Sequence, residues 1–186
     1  MNFNIWYIVI GVVVLLLLWV ILTFNSFVKG KNRVDEAFST MDVYMKKRYD
    51  LIPNLVETIK GYITHEKETL EAVISARSKA INSNSVEEQA DAERNLGGVL
   101  GRLLAISENY PDLKANVSFL DLQGQLKNIE GEIASSRKYY NAVVKEFNIK
   151  VESVPSNIIA MLFKFAKRPL FEVGSDAERE NVTVTF

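Results

Sequence analysis

Few side chains in this 186-residue chain have the types and spacing that chemistry needs. His65 is the only histidine, and a zinc protease of the H-E-x-x-H type would need a second one at position 69, which is Thr69. One histidine also cannot supply the paired Glu-x-x-His motifs of a di-iron bundle. The chain has no cysteine, which excludes thiolate metal sites, disulfides and a cysteine nucleophile. We therefore expect no catalytic residue, no metal and no cofactor, and we place His65 on a helix surface.

Three glycines lie close together at Gly97, Gly98 and Gly101, but they do not form the G-x-G-x-x-G phosphate loop and follow no predicted strand. A glycine inside a helix costs about 1 kcal/mol relative to alanine. We interpret these glycines as positions where another backbone approaches closely.

Arg48 is the charged residue whose helical position is most unusual. Counting sevens from Val34 through Met41 reaches Arg48, which would place a guanidinium in an apolar seam. An ideal helix drifts by about 20° per heptad, which would carry Arg48 to the rim of that seam, and we favour this interpretation. The alternative is a buried polar residue, paired with Asp42, Asp50 or a carboxylate on another helix.

The elements that must position these residues divide the chain into two kinds of sequence. The 22 Lys and Arg nearly balance the 23 Asp and Glu, a net charge of −1 that argues against a nucleic-acid partner. All of these charges follow residue 28, whereas 22 of the first 28 residues are hydrophobic. We therefore predict an anchor at 1–28, a helical domain at 29–171 and a tail at 172–186.

The twenty residues from Ile5 to Phe24 carry no charge. A helix of that length spans about 30 Å, the thickness of a bilayer's hydrocarbon core. A cleaved signal peptide is the alternative, but a basic leader and a small-residue cleavage site are missing. We predict a retained transmembrane helix, with the lipid bilayer as partner, that contains Ile5, Trp6, Gly11, Leu16, Trp19 and Phe24.

Basic residues flank this span on one side only, at Lys29, Lys31 and Arg33. The positive-inside rule then places the amino terminus outside and the domain in the cytoplasm, which predicts a single-pass protein of the cell (inner or cytoplasmic) membrane.

Apolar residues recur at helical spacing through most of the remaining chain. They predict a first helix over 31–82, which Pro53 would kink or break, a second over 85–109 that opens with a Ser85–Glu88 capping box, and a third over 118–151. A short fourth helix is predicted over 156–167. The fold class is thus all-α: a transmembrane helix followed by an elongated antiparallel bundle of three long helices and a short fourth. The alternating residues 182–186 predict a short strand or a frayed tail.

The segment 156–171 is amphipathic and mixes basic with apolar residues. It could lie on a membrane surface or close the bundle as its fourth helix, which is the commoner fate of such a helix. Its apolar face is predicted to contain Ile158, Ile159, Leu162, Phe163 and Phe165.

Helix lengths predict self-association. A first helix of about 52 residues would extend roughly 78 Å, and a second of about 25 would return only some 37 Å. The stripe formed by Val34, Phe38, Met41 and Met45 would then stay uncovered unless the chain bends at Pro53. Exposed apolar stripes usually mark an interface, so we expect these residues to contact neighbouring protomers of a homo-oligomer.

Four segments resemble the LemA family: DVYMKKRYDLIPNLVETIKGYITHE (42–66), ENYPDLKAN (108–116), RKYYNAVVKEFN (137–148) and KRPLFEV (167–173). The resemblance extends over essentially the whole chain. It implies a membrane-anchored bacterial protein with a cytoplasmic antiparallel helical bundle, and it supplies no catalytic residues.

Taken together, these features predict a membrane-anchored scaffold or interaction protein that is not an enzyme. Two alternatives stay open. One is an adaptor that docks a specific cytoplasmic partner, and the other is a membrane-shaping protein that uses the 156–171 segment.

Overall fold

The computed structural model describes residues 5–63 and 66–172. In these residues the chain forms six helices and no strand. The helices are α1 (Ile5–Lys60), α2 (Lys67–Ile81), α3 (Val86–Ser107), α4 (Pro111–Lys114), α5 (Val117–Glu152) and α6 (Ser156–Leu162). The predicted all-α fold class is confirmed. The predicted strand at 182–186 and His65 lie outside the described residues.

Helix α1 begins in the apolar run and continues without interruption into the charged part of the chain. Pro53 lies inside α1 and does not break it. A proline at this position cannot donate a hydrogen bond to the carbonyl of Tyr49, one turn earlier. Instead, Arg77 on α2 donates from Nε to that carbonyl at 2.7 Å. The side chain of a neighbouring helix thus replaces the hydrogen bond that the proline removes.

We expect the Arg77 hydrogen bond to be coupled to Pro53. Arg77→Ala leaves the Tyr49 carbonyl unpaired and should lower the free energy of unfolding by about 1.5–3 kcal/mol. In a Pro53→Ala background, the backbone N–H of residue 53 can donate to the Tyr49 carbonyl. Arg77→Ala should then lower the free energy of unfolding much less. A double-mutant cycle measured by denaturant unfolding in mild detergent checks this coupling, and costs that simply add would contradict it.

The predicted first helix over 31–82 is wrong at its carboxy-terminal end. Helix α1 ends at Lys60, where Gly61 follows, and α2 begins only at Lys67. The backbone N–H groups of Tyr62 and Ile63 both donate to the carbonyl of Ile59, at 2.9 and 3.0 Å. Periodicity missed this boundary because α1 and α2 carry apolar residues with the same helical spacing.

Two helices begin at polar caps that the sequence encodes. The Ser85 hydroxyl accepts a hydrogen bond from the backbone N–H of Glu88 at 3.1 Å, which confirms the predicted start of the second long helix. At the start of α5, Asn116 accepts from the backbone N–H of Phe119 at 3.0 Å and donates to the Tyr62 hydroxyl at 2.8 Å. Asn116 therefore also fixes the end of α1 against the start of α5.

The helices form two compact units, each with its own core. The anchor unit comprises the described residues of 5–39 and 139–168, and the bundle unit those of 40–138 and 169–172. The predicted boundary at residue 28 lies inside α1. In each unit α1 packs antiparallel to α5. The buried core of the anchor unit includes Phe27, Val34, Ala37, Tyr140, Val144, Phe147 and Ile159, and that of the bundle unit includes Met41, Met45, Ile52, Leu96, Leu103, Leu113 and Phe119.

The predicted fourth helix is also shorter than expected, because α6 ends at Leu162. Lys164 adopts a left-handed conformation with φ of 58°, and its backbone N–H donates to the carbonyl of Met161 at 3.3 Å. The N–H of Phe165 donates to the carbonyl of Ala160 at 2.9 Å. This pair of bonds is the Schellman motif that ends many helices, usually with glycine at the left-handed position. The helix predicted over 156–167 is therefore wrong beyond Leu162, and the amphipathic segment 156–171 is helical only in its first part.

Candidate functional site: a buried charge network and an open groove

A network of charged side chains lies inside the bundle unit and centres on Arg48. Its side chain ion-pairs with Glu93 on α3 and donates from Nη1 to Glu130 on α5 at 2.6 Å. The Tyr49 hydroxyl donates to the second carboxylate oxygen of Glu93. Arg48, Glu93 and Tyr49 are 2%, 5% and 5% exposed. Three helices are thus joined by charged groups in an interior that is largely apolar.

Burial and the two carboxylates act in opposite directions on Arg48. Burial by itself lowers the pKa of the guanidinium, but Glu93 and Glu130 offset this effect, and the Arg48 pKa lies above its ordinary value. Burial, followed by the negative charge of Glu93, raises the pKa of the Tyr49 hydroxyl well above its usual range. Arg48 therefore stays charged and Tyr49 stays protonated at physiological pH, which keeps Tyr49 a donor to Glu93.

The structure thus overturns the rim position that we favoured for Arg48 and places it in the interior, paired with carboxylates on other helices. Sequence reasoning missed Glu93, although a signal existed. Glu93 precedes Leu96, Leu100 and Leu103 at steps of three and four, so it occupies a seam position on α3. Because Glu93 and Arg48 each occupy a position in an apolar seam, the sequence could have predicted that they pair.

An open groove of about 620 Å³ lies between α3 and α5 in the bundle unit. Glu130 lines this groove and its side chain is 43% exposed, so the network reaches the surface there. The other lining residues are mostly small or apolar: Gly97, Leu100, Gly101, Leu104, Leu120, Gln123, Gly124, Leu126 and Lys127. The groove combines an apolar floor with one residue of each charge.

The glycines of this region do not have the role that the sequence predicted. Apart from the helix's own backbone, no atom of residues 5–63 and 66–172 lies within 4 Å of a side-chain carbon placed at Gly97, Gly98 or Gly101. The close backbone approach predicted there does not occur among these described residues. The same is true of Gly124 across the groove. Glycines on both walls instead widen the groove.

The predicted oligomer interface is wrong for most of its residues. Val34, Met41 and Met45 are 3%, 0% and 0% exposed in the single chain. Phe38 is half-buried, with its ring centroid 5.7 Å from that of Tyr140 on α5. The length argument failed because α1 ends at Lys60, which makes its charged part no longer than the 36-residue α5. The chain therefore covers this stripe itself.

The amino-terminal part of α1 presents apolar side chains on every side. An 18-residue window has a mean hydropathy of 3.0, and none of it is buried, which makes α1 long and apolar enough to cross a membrane. Ile5, Trp6 and Leu16 are exposed, whereas Trp19 and Phe24 are half-buried. In the part of the chain that the structure describes, no group of three or more His, Cys, Asp or Glu side chains could hold a metal ion.

The residues predicted as one apolar face at 156–171 divide into two sets. Ile159 is buried, and Phe165 is half-buried against α1. Ile158, Leu162 and Phe163 are 59%, 68% and 44% exposed. The segment therefore both closes the anchor unit and leaves apolar side chains on its surface.

An apolar helix that continues directly into a helical bundle defines a class of membrane-associated helical protein. The chain belongs to the LemA family, whose sequence model it matches over residues 37–186. This match confirms the resemblance seen in the four sequence segments.

Individual relatives agree with this assignment. The chain is 27% identical to protein LemA of Metamycoplasma hominis, over 85% of this chain and 72% of the relative. It is 23% identical to magnetosome protein MamQ 2 of Paramagnetospirillum magneticum and 24% identical to magnetosome protein MamQ of Magnetospirillum gryphiswaldense. These two alignments cover 82% and 81% of this chain but only 65% of each relative, so the chain spans less than two thirds of the magnetosome proteins.

Proposed function

We propose that this protein is a single-pass, non-catalytic membrane scaffold that self-associates through the groove between α3 and α5. The amino terminus lies outside the cell, and the bundle unit lies in the cytoplasm. The observation that carries the proposal is the continuity of α1 from the apolar run to Lys60. The helix that carries the proposed span also contributes residues to the core of the bundle unit, so the bundle unit is attached to the membrane without a separate linker segment.

Orientation rests on the charges beside the span. Lys29, Lys31 and Arg33 follow the apolar run, and residues 1–24 carry no charged side chain. Basic flanking residues are retained on the cytoplasmic side of bacterial membranes. Protease added outside intact cells should therefore leave the bundle unit undigested, and digestion of that unit would contradict this topology.

The groove has properties suited to a second copy of this chain. Leu120 is 50% exposed there, and glycines on both walls leave room for a helix to approach closely. Lys127 and Glu130 lie on the same groove, so a two-fold axis through it would bring each lysine towards a glutamate of the other copy. Membrane anchors keep the copies parallel and raise their effective concentration, which makes a small interface sufficient.

Self-association can be tested with single cysteines, because the chain has none of its own. Gly101→Cys and Gly124→Cys place a thiol in the groove, and a Cβ added at either position has no neighbour within 4 Å among the described residues outside its own helix backbone. The matched control, Glu71→Cys, places a thiol on the exposed surface of α2. Crosslinking with a short bis-maleimide in native membranes should trap dimers for both groove variants and far fewer for the control.

Two outcomes would contradict the proposal. Monomers alone from both groove variants would exclude a dimer at this surface. Crosslinking of Gly101→Cys to one foreign protein in stoichiometric yield would favour the alternative function, an adaptor for a specific cytoplasmic partner.

A further inference from the structure

We propose that the anchor unit binds the phosphate group of an anionic phospholipid in a basic hollow beside α6, whose exposed apolar side chains enter the same bilayer surface. This inference rests on the proposed membrane span of α1. It assigns the 156–171 segment a defined ligand and a defined place in the anchor unit.

An aromatic cluster fixes the height of α6 relative to the span. The Phe163 ring centroid lies 4.7 Å from that of Phe24, the last residue of the predicted span. Phe165 stacks on Phe27 with centroids 4.9 Å apart and an interplanar angle of 15°. Phe24 and Phe27 are separated by about 4.5 Å along a helix. The chain that leaves α6 therefore lies at the boundary where the span meets the aqueous phase.

The outer side of α6 is apolar at this boundary. Ile158, Met161 and Leu162 are 59%, 82% and 68% exposed, and Phe163 beside them is 44% exposed. Phe163 packs against Phe24 of α1, so the exposed apolar side chains of this segment continue the apolar surface of the span sideways. Apolar groups next to basic residues are typical of segments that lie in the membrane interface. A bilayer that surrounds α1 would bury these side chains as well.

A hollow of about 270 Å³ lies next to this apolar surface and carries four basic residues: Lys31, Lys164, Lys167 and Arg168. Its other lining residues are Phe147, Phe163, Phe165 and Ala166. The aromatic wall suits the apolar chains of a phospholipid, and the basic residues suit the phosphate group that lies next to those chains.

Two of the four cations are neutralised within the anchor unit. Lys167 pairs with Glu152 at 2.7 Å, and Arg168 pairs with Asp35 at 3.4 Å. Lys31 and Lys164 have no ion-pair partner among residues 5–63 and 66–172. Four positive and two negative charges leave a net charge of +2 at the hollow. A phosphate monoanion or diester placed there would be attracted without displacing a carboxylate.

The position of the hollow is fixed by hydrogen bonds to the backbone. The Asn148 side chain donates to the carbonyl of Arg168 and accepts from its N–H, both at 2.8 Å. Lys164 lies in the left-handed position of the Schellman motif, which glycine occupies more readily. The turn therefore does not need the lysine side chain, and Lys164→Gly removes the charge while it favours the backbone conformation.

The test uses the full chain reconstituted in bilayer discs of phosphatidylcholine with a minority of phosphatidylglycerol. Mass spectrometry measures the two lipids that remain bound after mild detergent extraction. We expect phosphatidylglycerol to be enriched over its bulk ratio. The enrichment should fall about fivefold in Lys164→Gly, which removes one lysine. It should fall about fivefold again in the double variant that also carries Lys31→Gln. The control Lys67→Gln, at an exposed position of α2, should keep the full enrichment.

Equal enrichment in the double variant, or none in the unaltered chain, would overturn the proposal. Release of the lipid by millimolar inorganic phosphate would instead assign the hollow to free phosphate. In a second experiment, a fluorophore is attached to Met161→Cys and the discs contain brominated lipids. These lipids should quench the fluorescence of the label at position 161 but not that of a label on Glu71→Cys. An unquenched label at 161 would exclude the bilayer contact. Resistance of the chain to alkaline extraction reports the α1 span separately.

Discussion

Replacing Arg48 by methionine is expected to lower the free energy of unfolding by about 3–5 kcal/mol. The substitution leaves the Glu93 carboxylate buried with only the Tyr49 hydroxyl as a hydrogen-bond donor from this network. An unpaired buried charge is far more costly than the pair itself is stabilising. Denaturant unfolding of the full chain in mild detergent, followed by circular dichroism, measures the change.

A matched control is available in the anchor unit. Arg33 pairs with Glu146 at 3.6 Å, and their side chains are 55% and 73% exposed. Solvent screens such a pair, so Arg33→Met should change the free energy of unfolding by no more than about 1 kcal/mol. Adding Glu93→Leu to Arg48→Met should restore much of the loss, because no unpaired carboxylate then remains at position 93. A loss that persists in the double variant would show that packing, and not charge, governs this site.

Phe27→Ala should have a similarly large effect in the anchor unit. Phe27 is fully buried, stacks on Phe165 and meets the Phe147 ring at 6.2 Å. Truncation of a buried phenylalanine costs about 3–5 kcal/mol because a cavity remains. Loss of the Phe27 ring should also weaken the contact between α1 and the segment that follows α6. Hydrogen exchange of the 156–168 amides should therefore become faster.

The control for Phe27 lies five residues earlier on the same helix. Leu22 is 68% exposed, on the surface that a bilayer would cover, so Leu22→Ala should leave the exchange of the 156–168 amides unchanged. Unchanged exchange in Phe27→Ala would mean that the aromatic cluster does not hold this segment.

Much of the fold could be predicted from local sequence. The third long helix was predicted over 118–151 and runs over Val117–Glu152. The Ser85–Glu88 pair marked the start of α3 because a cap depends on residues only three positions apart. Failures occurred where a boundary depended on distant groups. Pro53 remains inside α1 because Arg77, on another helix, satisfies the carbonyl that the proline leaves free.

The candidate sites were only partly accessible from the sequence. Arg48 was recognised as unusual, but its partners Glu93 and Glu130 lie 45 and 82 residues away. Their pairing depends on the register between helices, which the packing of whole apolar faces determines. The basic hollow was missed because Lys164 and Lys31 come together only through the aromatic contacts of Phe163 and Phe165 with α1.

The sequence by itself determined the all-α class, the apolar helix and the family, because composition, periodicity and motifs are properties of neighbouring residues. The tertiary structure alone decided that α1 ends at Lys60, that Val34, Met41 and Met45 are covered, and that Arg48 is buried among carboxylates. The physical reason is common to all three. Each depends on which helix faces lie against each other, and many faces of similar apolar spacing can pair until side-chain packing and buried charges select one arrangement.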